Sequence, residues 1–464
     1  MSRGANSAVA NSRAPLAHVD IPTKKEILQR GMNMLRITKA FVAFLLVFML
    51  ALSGGPAAFG AGLNGDGAAV SSDQTSLKAA VTKVLKVPEG TNVPAATFKF
   101  TATPVSVDGE PFGAGNMPTL SAAALSIAYP GPAGVLSGNT MTYVKEGTDL
   151  FAGVSFPHAG VYIYTIEEVS NTYVSTIDGI TETLTYSGAK YQLTVYVAYD
   201  DDGATYVYAL GDKVVVADNS DQTVGEKEDP TLGGDGETYT TSQMFFTNSY
   251  VKTNSSTEPE NPEYPGIPDP GRPENTTLSV SKKVEGNFAS RDYLFSYSMT
   301  VNAPTIVYDP ADATATAPIY RAYVMEGNVV VNTTPIFFTS GSPAAFQLKA
   351  GQHLAFIDTP VGTTYTVTEA AEANYIASAS VTTADNSISV ANTGSANQAL
   401  TTGVQLVGEP TNSADFINTY NLVTPTGIIL NNLPFIGVVA LAVAALAIFI
   451  VTNSRKRKRA GVQA

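Results

Sequence analysis

The sequence predicts an all-β protein built from two β-sandwich domains in tandem. Tyr (22) and Phe (20) are plentiful, and Thr and Val are also abundant, which is a composition typical of strands. Segments of strand length recur along the chain with turn residues between them. No convincing amphipathic helix separates these segments, so a β-sandwich is favoured over a fold that alternates strands and helices.

Charge is distributed unevenly along the chain. There are 27 Lys and Arg against 40 Asp and Glu, but 12 of the cations lie before residue 62 or after residue 427, where only Asp20 and Glu26 are acidic. The stretch between carries 15 cations (27 less 12) and 38 acids (40 less 2), a net charge of −23. Such an acidic surface repels nucleic acid and anionic lipid, which argues against both as partners.

Two residue types that commonly carry chemistry are scarce. Cys is absent, which excludes disulfides, thiolate metal sites and Cys nucleophiles. The three His residues, His18, His158 and His353, are widely scattered. We therefore expect no metal site, no cofactor and no His-based catalytic triad.

Residues 1–61 are predicted to be a leader and a secretory signal peptide. Two cations precede an apolar run at 40–52, and small residues follow, so cleavage is expected near residue 60. The run is too short for a comfortable membrane span. The part before Met32 or Met34 is unusually long for a signal peptide. Either a misassigned start codon or an extended signal would explain this length.

Residues 74–252 are predicted to form the first sandwich domain. Its segments are rich in β-branched and aromatic residues, and polar turns such as 200–203 separate them. The expected strands are Ala79 to Val87, Thr97 to Thr103, Gly160 to Glu167, Tyr191 to Tyr199, Thr205 to Leu210 and Met244 to Asn248.

Residues 253–276 contain six prolines and no apolar periodicity, which predicts a semi-rigid linker. Residues 277–421 are predicted to form the second sandwich domain, which again begins and ends with a strand. The expected strands are Leu278 to Val284, Leu354 to Ile357, Thr364 to Thr368 and Asp415 to Tyr420.

The C-terminal segment, 423–459, predicts a membrane span. Leu433 to Val451 gives 19 residues without a charge, enough to cross a bilayer core of about 30 Å at about 1.5 Å per residue. The five cations at 455–459 should stay on the cytoplasmic side, which places almost the whole chain outside the cell. A short motif directly precedes the span: Val423, Thr424, Pro425, Thr426 and Gly427.

Each predicted domain repeats one constellation of polar residues. In each, a Lys, a Glu and an Asn lie two positions after a large apolar residue of a strand, so that each polar side chain shares the face of its apolar neighbour. If the apolar faces are inside, these side chains point inward. The pairs are Val81 with Lys83, Ile166 with Glu168, Phe246 with Asn248, Val280 with Lys282, Val367 with Glu369 and Phe416 with Asn418.

Other assignments are available at some of these positions. Glu167 and Lys283 are adjacent to the assigned residues but fall on the opposite face of their strands. Lys86 is a rival to Lys83. The ordinary alternative is that each polar residue is a solvated strand end and that the alternating Phe and Tyr residues are simply core.

Enclosing a Lys, a Glu and an Asn together has a chemical consequence. Burial lowers the pKa of a lysine and raises that of a glutamate, because it disfavours both charged forms. The lysine then becomes a neutral nucleophile and the glutamate an acid that shuttles protons. Attack of Lys Nζ on Asn Cγ, with loss of ammonia, would give an isopeptide bond.

The C-terminal segment resembles the cell-wall sorting signal of Gram-positive surface proteins. That signal combines a short Pro/Thr/Gly pentapeptide, an apolar span and a basic tail, and a sortase cuts it between Thr and Gly. By this resemblance the cut falls between Thr426 and Gly427. VTPTG departs from the commoner pattern, which opens with Leu-Pro, and looks like the variant of streptococcal T-antigen-type backbone pilins.

Both domains resemble the isopeptide-forming immunoglobulin-like domains of such pilins, the pilin isopeptide linkage family. The stretch PVGTTYTVTEAAEANY (360–375) makes the resemblance clearest in the second domain. In that family a Lys of the first strand joins an Asn of the last strand beside a Glu. The bonds implied here are Lys83–Asn248 with Glu168 and Lys282–Asn418 with Glu369.

The resemblance implies a structural pilin subunit that is secreted, anchored to the cell wall and polymerised when a sortase joins Thr426 to a lysine of the next subunit. Lys213 and Lys227 are the candidate acceptors. The implied partners are a sortase, further copies of the subunit, peptidoglycan and a host surface ligand, with membrane contact only before sorting. The alternative is a wall-anchored adhesin or minor pilin that is not polymerised. Nothing predicts an enzyme beyond self-directed, single-turnover isopeptide formation.

Overall fold

The computed structural model describes residues 69–460 apart from several short segments. Those segments are 114, 175–179, 219–221, 235–239, 257–259, 262–263, 269, 272–275, 383–387, 392–394, 411 and 421–425. The predicted leader and signal peptide (1–61) lies outside the described residues, as do Val423, Thr424 and Pro425 of the predicted sorting motif.

The prediction of an all-β fold with two sandwich domains is confirmed. The strands of the first domain are β1 (Ala69–Val70), β2 (Thr82–Pro88), β3 (Thr97–Val107), β4 (Glu110–Pro111), β5 (Ser126–Ala128), β6 (Val135–Ser137), β7 (Thr140–Glu146), β8 (Gly160–Glu168), β9 (Ile180–Thr185), β10 (Lys190–Tyr199), β11 (Thr205–Val216), β12 (Lys227–Glu228) and β13 (Phe245–Ser256).

These strands form two facing sheets. One has the order β1-β11-β10-β8-β3-β4, with β12 beside β11 and β5 beside β3, and the other has the order β6-β7-β2-β13-β9. Alternate residues point between the sheets, as in β10, where Tyr191, Leu193 and Val195 are fully buried. Period-two alternation of this kind creates one apolar and one polar face for each strand.

The second domain repeats the two-sheet arrangement. Its strands are β16 (Leu278–Glu285), β17 (Phe295–Asn302), β18 (Ile319–Glu326), β19 (Val329–Val330), β20 (Ile336–Thr339), β21 (Pro343–Leu348), β22 (Gln352–Phe356), β23 (Thr364–Glu369), β24 (Tyr375–Thr382), β25 (Ile388–Ala391), β26 (Leu400–Thr401), β27 (Gln405–Leu406) and β28 (Ser413–Tyr420). One sheet is ordered β19-β18-β22-β16-β28-β24-β25 with β20 beside β18, and the other β21-β17-β23-β26 with β27 beside β23.

The region between the domains contains more structure than a linker requires. Strand β13 continues to Ser256, and β14 (Glu260–Asn261) pairs with β15 (Tyr264–Pro268) in a small hairpin. Composition alone predicted only a proline-rich spacer at 253–276. Proline is tolerated in a two-stranded hairpin because each strand has an unpaired edge.

A helix, α1 (Thr426–Ala460), closes the described chain. Residues Pro434–Arg455 within it are long and apolar enough to cross a membrane, and in the structure no protein surface covers them. The predicted uncharged stretch, Leu433 to Val451, lies inside this helix, which begins at Thr426 of the predicted sorting motif.

The first and last core strands of each domain are neighbours and run parallel. In the first domain β2 pairs with β13, with Lys83 opposite Phe246. In the second β16 pairs with β28, with Lys282 opposite Phe416. The chain therefore enters and leaves each domain along two adjacent strands, which places one lysine and one asparagine side by side.

Candidate functional site

The first candidate site lies between the two sheets of the first domain. Lys83 on β2 and Asn248 on β13 belong to the same sheet, and Glu168 reaches them from the end of β8 in the opposite sheet. Because Asn248 lies two residues beyond the register partner of Lys83, both side chains point into the core on the same face. Lys83 and Asn248 are fully buried.

Short hydrogen bonds connect the three side chains of this first triad. Lys83 Nζ donates to Glu168 Oε2 at 2.9 Å and to the carbonyl oxygen of Phe246 at 2.9 Å. Asn248 Nδ2 donates to Glu168 Oε1 at 2.9 Å. The backbone N–H of Ser187 donates to Asn248 Oδ1 at 2.7 Å and to Glu168 Oε2 at 3.1 Å. The carboxylate thus touches the amine and the amide at once.

The second triad has the same construction. Lys282 on β16 and Asn418 on β28 lie in one sheet, and Glu369 at the end of β23 reaches them from the other. Glu369 Oε1 accepts from Lys282 Nζ at 2.6 Å and from Asn418 Nδ2 at 2.7 Å. All three side chains are almost fully enclosed, with 2% exposure for Lys282, 0% for Glu369 and 1% for Asn418.

Burial adjusts the pKa values in the direction that the chemistry needs. Loss of hydration lowers the pKa of Lys83 and of Lys282 to about 8 in each case, against the attraction of the neighbouring glutamate. Burial raises the pKa of Glu369, against the opposing effect of Lys282. A lysine and a glutamate held this way pass a proton between them more readily than they would in water.

Aromatic rings cover both amines, which the sequence analysis did not predict. Lys83 Nζ lies 4.8 Å from the ring centroid of Phe98, and Lys282 Nζ lies 4.1 Å from that of Phe295. Each ring comes from the strand that pairs with the glutamate-bearing strand. In the sequence, these rings are visible only as aromatic residues at alternate positions of a strand. Such a pattern ordinarily indicates core packing.

The rival residues lie away from the triads. Glu167 forms an ion pair with Lys190 at 2.5 Å, and Lys283 forms one with Glu285 at 2.8 Å. The Lys283 side chain is 66% exposed. Lys86 lies opposite Ser249, an odd number of residues from Lys83, and so faces the other side of β2.

The two candidate acceptor lysines are both at the surface. Lys213 on β11 and Lys227 on β12 are exposed and are register partners of each other. Thr426 and Gly427, where the sortase cut is expected, form the first residues of α1. Among the residues that the structure describes, no group of three or more His, Cys, Asp or Glu side chains could hold a metal ion.

Comparison with protein families separates the two domains. Residues 79–251 match the family described as Spy0128-like isopeptide containing domain. Residues 276–420 match a family described as a domain of unknown function, DUF7601. The expectation that the second domain carries the clearer resemblance is wrong, because the isopeptide family matches the first. Among curated proteins, none matches the chain.

Solved pilus proteins are similar to the chain at low identity. The major pilin from Streptococcus pyogenes is 18% identical, with 75% of this chain and 99% of that chain covered and a TM-score of 0.28. The major pilin protein T3.2 from Streptococcus pyogenes is 19% identical, with coverages of 75% and 100% and a TM-score of 0.27. A pilus-presented adhesin is 12% identical, with coverages of 50% and 35% and a TM-score of 0.21. Scores this low carry no functional argument.

Proposed function

We propose that the chain is a structural subunit of a Gram-positive surface pilus, stabilised by two self-formed isopeptide bonds; the match of residues 79–251 to the Spy0128-like isopeptide containing domain supports this. The observation that carries the proposal is the duplicated triad: an amine, a carboxyl group and an amide enclosed together at the same register in both domains. The bonds are Lys83–Asn248 and Lys282–Asn418.

The proposed reaction follows from the contacts of each triad. Glutamate takes one proton from the lysine ammonium, which leaves a neutral amine next to the asparagine amide. Nζ attacks Cγ, the Cγ–Nδ2 bond breaks, and the carboxyl group relays a second proton from the attacking nitrogen to Nδ2. Ammonia leaves, and the glutamate remains as the carboxylic acid. No oxidant, metal or external nucleophile is required.

Burial makes the reaction favourable as well as feasible. A buried ion pair gains little net stability, because desolvation of both charges offsets their attraction. Conversion of the Lys83–Glu168 pair, whose side chains are both fully enclosed, into a neutral amide and a neutral acid removes that penalty. The same argument applies to Lys282 and Glu369.

The position of the bonds suits a subunit under tension. Lys83 and Asn248 are 165 positions apart (248 less 83), and Lys282 and Asn418 are 136 apart (418 less 282). If the loop-closure relation for disulfides transfers, each bond restricts the unfolded chain by about 5 kcal/mol. Force that enters along β2 and leaves along β13 passes through the bond and bypasses the residues between.

The C-terminal segment supports export and covalent anchoring. Helix α1 contains the apolar stretch Pro434–Arg455, and the basic residues 455–459 favour retention of its end in the cytoplasm. A sortase that cuts between Thr426 and Gly427 would release the ectodomain from this helix and pass Thr426 to an amine. The exposed Lys213 and Lys227 remain our candidate acceptors in a neighbouring subunit.

A denaturing gel of cell-wall extract tests polymerisation. We expect a ladder of high-mass species that is abolished by Thr426→Ala and retained by the matched control Thr452→Ala, which lies beyond the cut in α1. A single anchored band in the unmodified strain would instead favour the second candidate, a non-polymerised wall-anchored adhesin or minor pilin.

A further inference from the structure

The connection between β9 and β10 brings a backbone N–H group into the first triad. Ser187 is 8% exposed, and its N–H donates to Asn248 Oδ1 at 2.7 Å and to Glu168 Oε2 at 3.1 Å. Oδ1 is the atom that becomes negatively charged when an amine attacks Cγ of Asn248. The N–H therefore already lies at the position where charge develops.

Several hydrogen bonds fix the position of this connection. The hydroxyl of Ser187 bonds to the carboxylate of Asp218 and accepts from the N–H of Ala189 at 3.2 Å. The N–H of Asp218 donates to Gln222 Oε1 at 3.1 Å, and Gln222 Nε2 donates to the carbonyl oxygen of Phe245 at 3.0 Å. The connection is thus tied to β13, the strand that carries the reacting asparagine.

We propose that the Ser187 N–H group is the oxyanion donor for isopeptide formation in the first domain, an inference that rests on the function proposed above. When Lys83 Nζ bonds to Cγ of Asn248, the carbonyl electron pair moves to Oδ1, and the N–H stabilises that charge. When the Cγ–Nδ2 bond breaks, the pair returns and ammonia leaves with a proton relayed by Glu168. A preorganised donor in a site closed to water has its largest effect on such a transition state.

The donor is a property of the first triad. In the second, Asn418 Oδ1 is buried and has no hydrogen-bond partner among the described residues. The two sites therefore use the same amine, acid and amide, but the amide oxygen is polarised by the backbone only in the first. The second bond in the same chain serves as an internal reference for any change made at Ser187.

The test follows both bonds over time in the full chain made by in vitro translation. Peptide mapping quantifies the Lys83–Asn248 and Lys282–Asn418 cross-links at each time point. In one variant the α-hydroxy analogue of serine at position 187 replaces the N–H by an ester oxygen and keeps the side chain. The matched variant, Ser187→Ala, keeps the N–H and removes the hydroxyl.

We expect the ester to slow the first bond by about 100-fold, the usual cost of one oxyanion donor, while the second bond keeps its rate. Ser187→Ala should slow the first bond by far less. An ester variant that forms the first bond at the unmodified rate overturns the proposal, and so does equal slowing by Ser187→Ala. If neither bond forms in the unmodified chain, the proposed function itself is what fails.

Amide exchange in the unmodified chain gives an independent readout should the ester destabilise the domain. A Ser187 N–H that donates to the isopeptide carbonyl oxygen exchanges with solvent slowly, at the rate of the core strands. Exchange at the rate of an exposed loop would overturn the assignment.

Discussion

The two triads use the same three residue types at the same strand register, yet their surroundings differ at two positions. Phe100 lies opposite Glu168 in the strand pair, whereas Tyr297 lies opposite Glu369 and brings a buried hydroxyl near that carboxyl group. The first triad has a backbone donor to the asparagine oxygen, and among the described residues the second has none. The comparison shows that register fixes which groups meet, while the neighbouring loops decide how strongly the amide is polarised.

The largest expected effect is loss of a bond in one domain only. Glu369→Gln should abolish the Lys282–Asn418 bond, because Gln cannot relay a proton, and should leave Lys83–Asn248 formed. The second domain then loses about 5 kcal/mol of unfolded-state restriction and becomes more sensitive to protease. Peptide mapping and limited trypsin digestion measure the two effects.

The matched control in the second domain is Glu285→Gln, which changes a 45% exposed carboxylate outside the triad. In the first domain the corresponding pair is Glu168→Gln and the control Glu167→Gln. A Glu369→Gln chain that still forms the second bond would show that the carboxyl group is not required and would remove the chemical basis of the account.

The positions of the triads could be predicted from the sequence because side chains in a strand alternate with period two. That rule favoured Glu168 over Glu167 and Lys282 over Lys283 as the inward-facing residues, whereas Lys86 remained a rival to Lys83. The strands themselves were located less completely: β11 extends to Val216, and β17, β18 and β24 were not predicted.

Other parts of the site could not be predicted, for physical reasons. A backbone donor such as the N–H of Ser187 has no residue-type signature, since every residue other than proline has one. Phe98 and Phe295 gave only an apolar alternation, which does not distinguish a ring over an amine from ordinary core. The hairpin at Glu260–Asn261 and Tyr264–Pro268 lies in a proline-rich stretch where composition favours a linker.

A smaller effect should appear in the pH dependence of both bonds. In each triad the reactive form, a neutral amine beside a carboxylic acid, holds the same number of protons as the lysine–glutamate ion pair. The rate of bond formation is therefore independent of pH until the pair loses a proton to solvent. Because the pKa of Lys83 and of Lys282 is about 8, above that pH each pair becomes an amine and a carboxylate without a relayed proton.

We therefore expect both rates to fall by similar factors above about pH 8, where the lysine pKa values lie. The N–H group of Ser187 does not titrate, so it changes the rate of the first bond at every pH and leaves the shape of the profile unchanged. Time courses of both cross-links in one chain, translated at pH 7 and pH 9, measure the two profiles. Rates that stay constant between these pH values would contradict the role of the relayed proton.

The smallest expected effect concerns a buried carboxyl pair of the first domain outside its triad. Asp212 on β11 is the register partner of Glu228 on β12, and Asp212 Oδ2 and Glu228 Oε2 have no hydrogen-bond partner in the described structure. Burial, and to a lesser extent Glu226, raises the pKa of Glu228 from 4.5 to about 7. Burial and then Glu228 raise the pKa of Asp212.

A folded-state pKa above the unfolded value means that the folded domain binds more protons. The contribution of Glu228 to the stability of the folded domain is fully present below about pH 4.5 and is lost as pH rises through about 7. Glu228→Gln should therefore stabilise the first domain at pH 8 by about 1 kcal/mol, after discounting for partial exposure, and change little at pH 5. Urea unfolding read by pulse proteolysis measures this, with the exposed Glu110→Gln as control. Equal effects at both pH values would contradict the assignment.

The intact mass of the purified chain tests the central claim most directly. Each isopeptide bond releases one ammonia, so two bonds lower the mass by about 34 Da relative to the sequence, and peptide mapping should assign about 17 Da to each triad. The account predicts this deficit in the chain as isolated, with no added enzyme or cofactor. A chain at its full sequence mass, with Lys83 and Lys282 recovered as unmodified peptides, would contradict it.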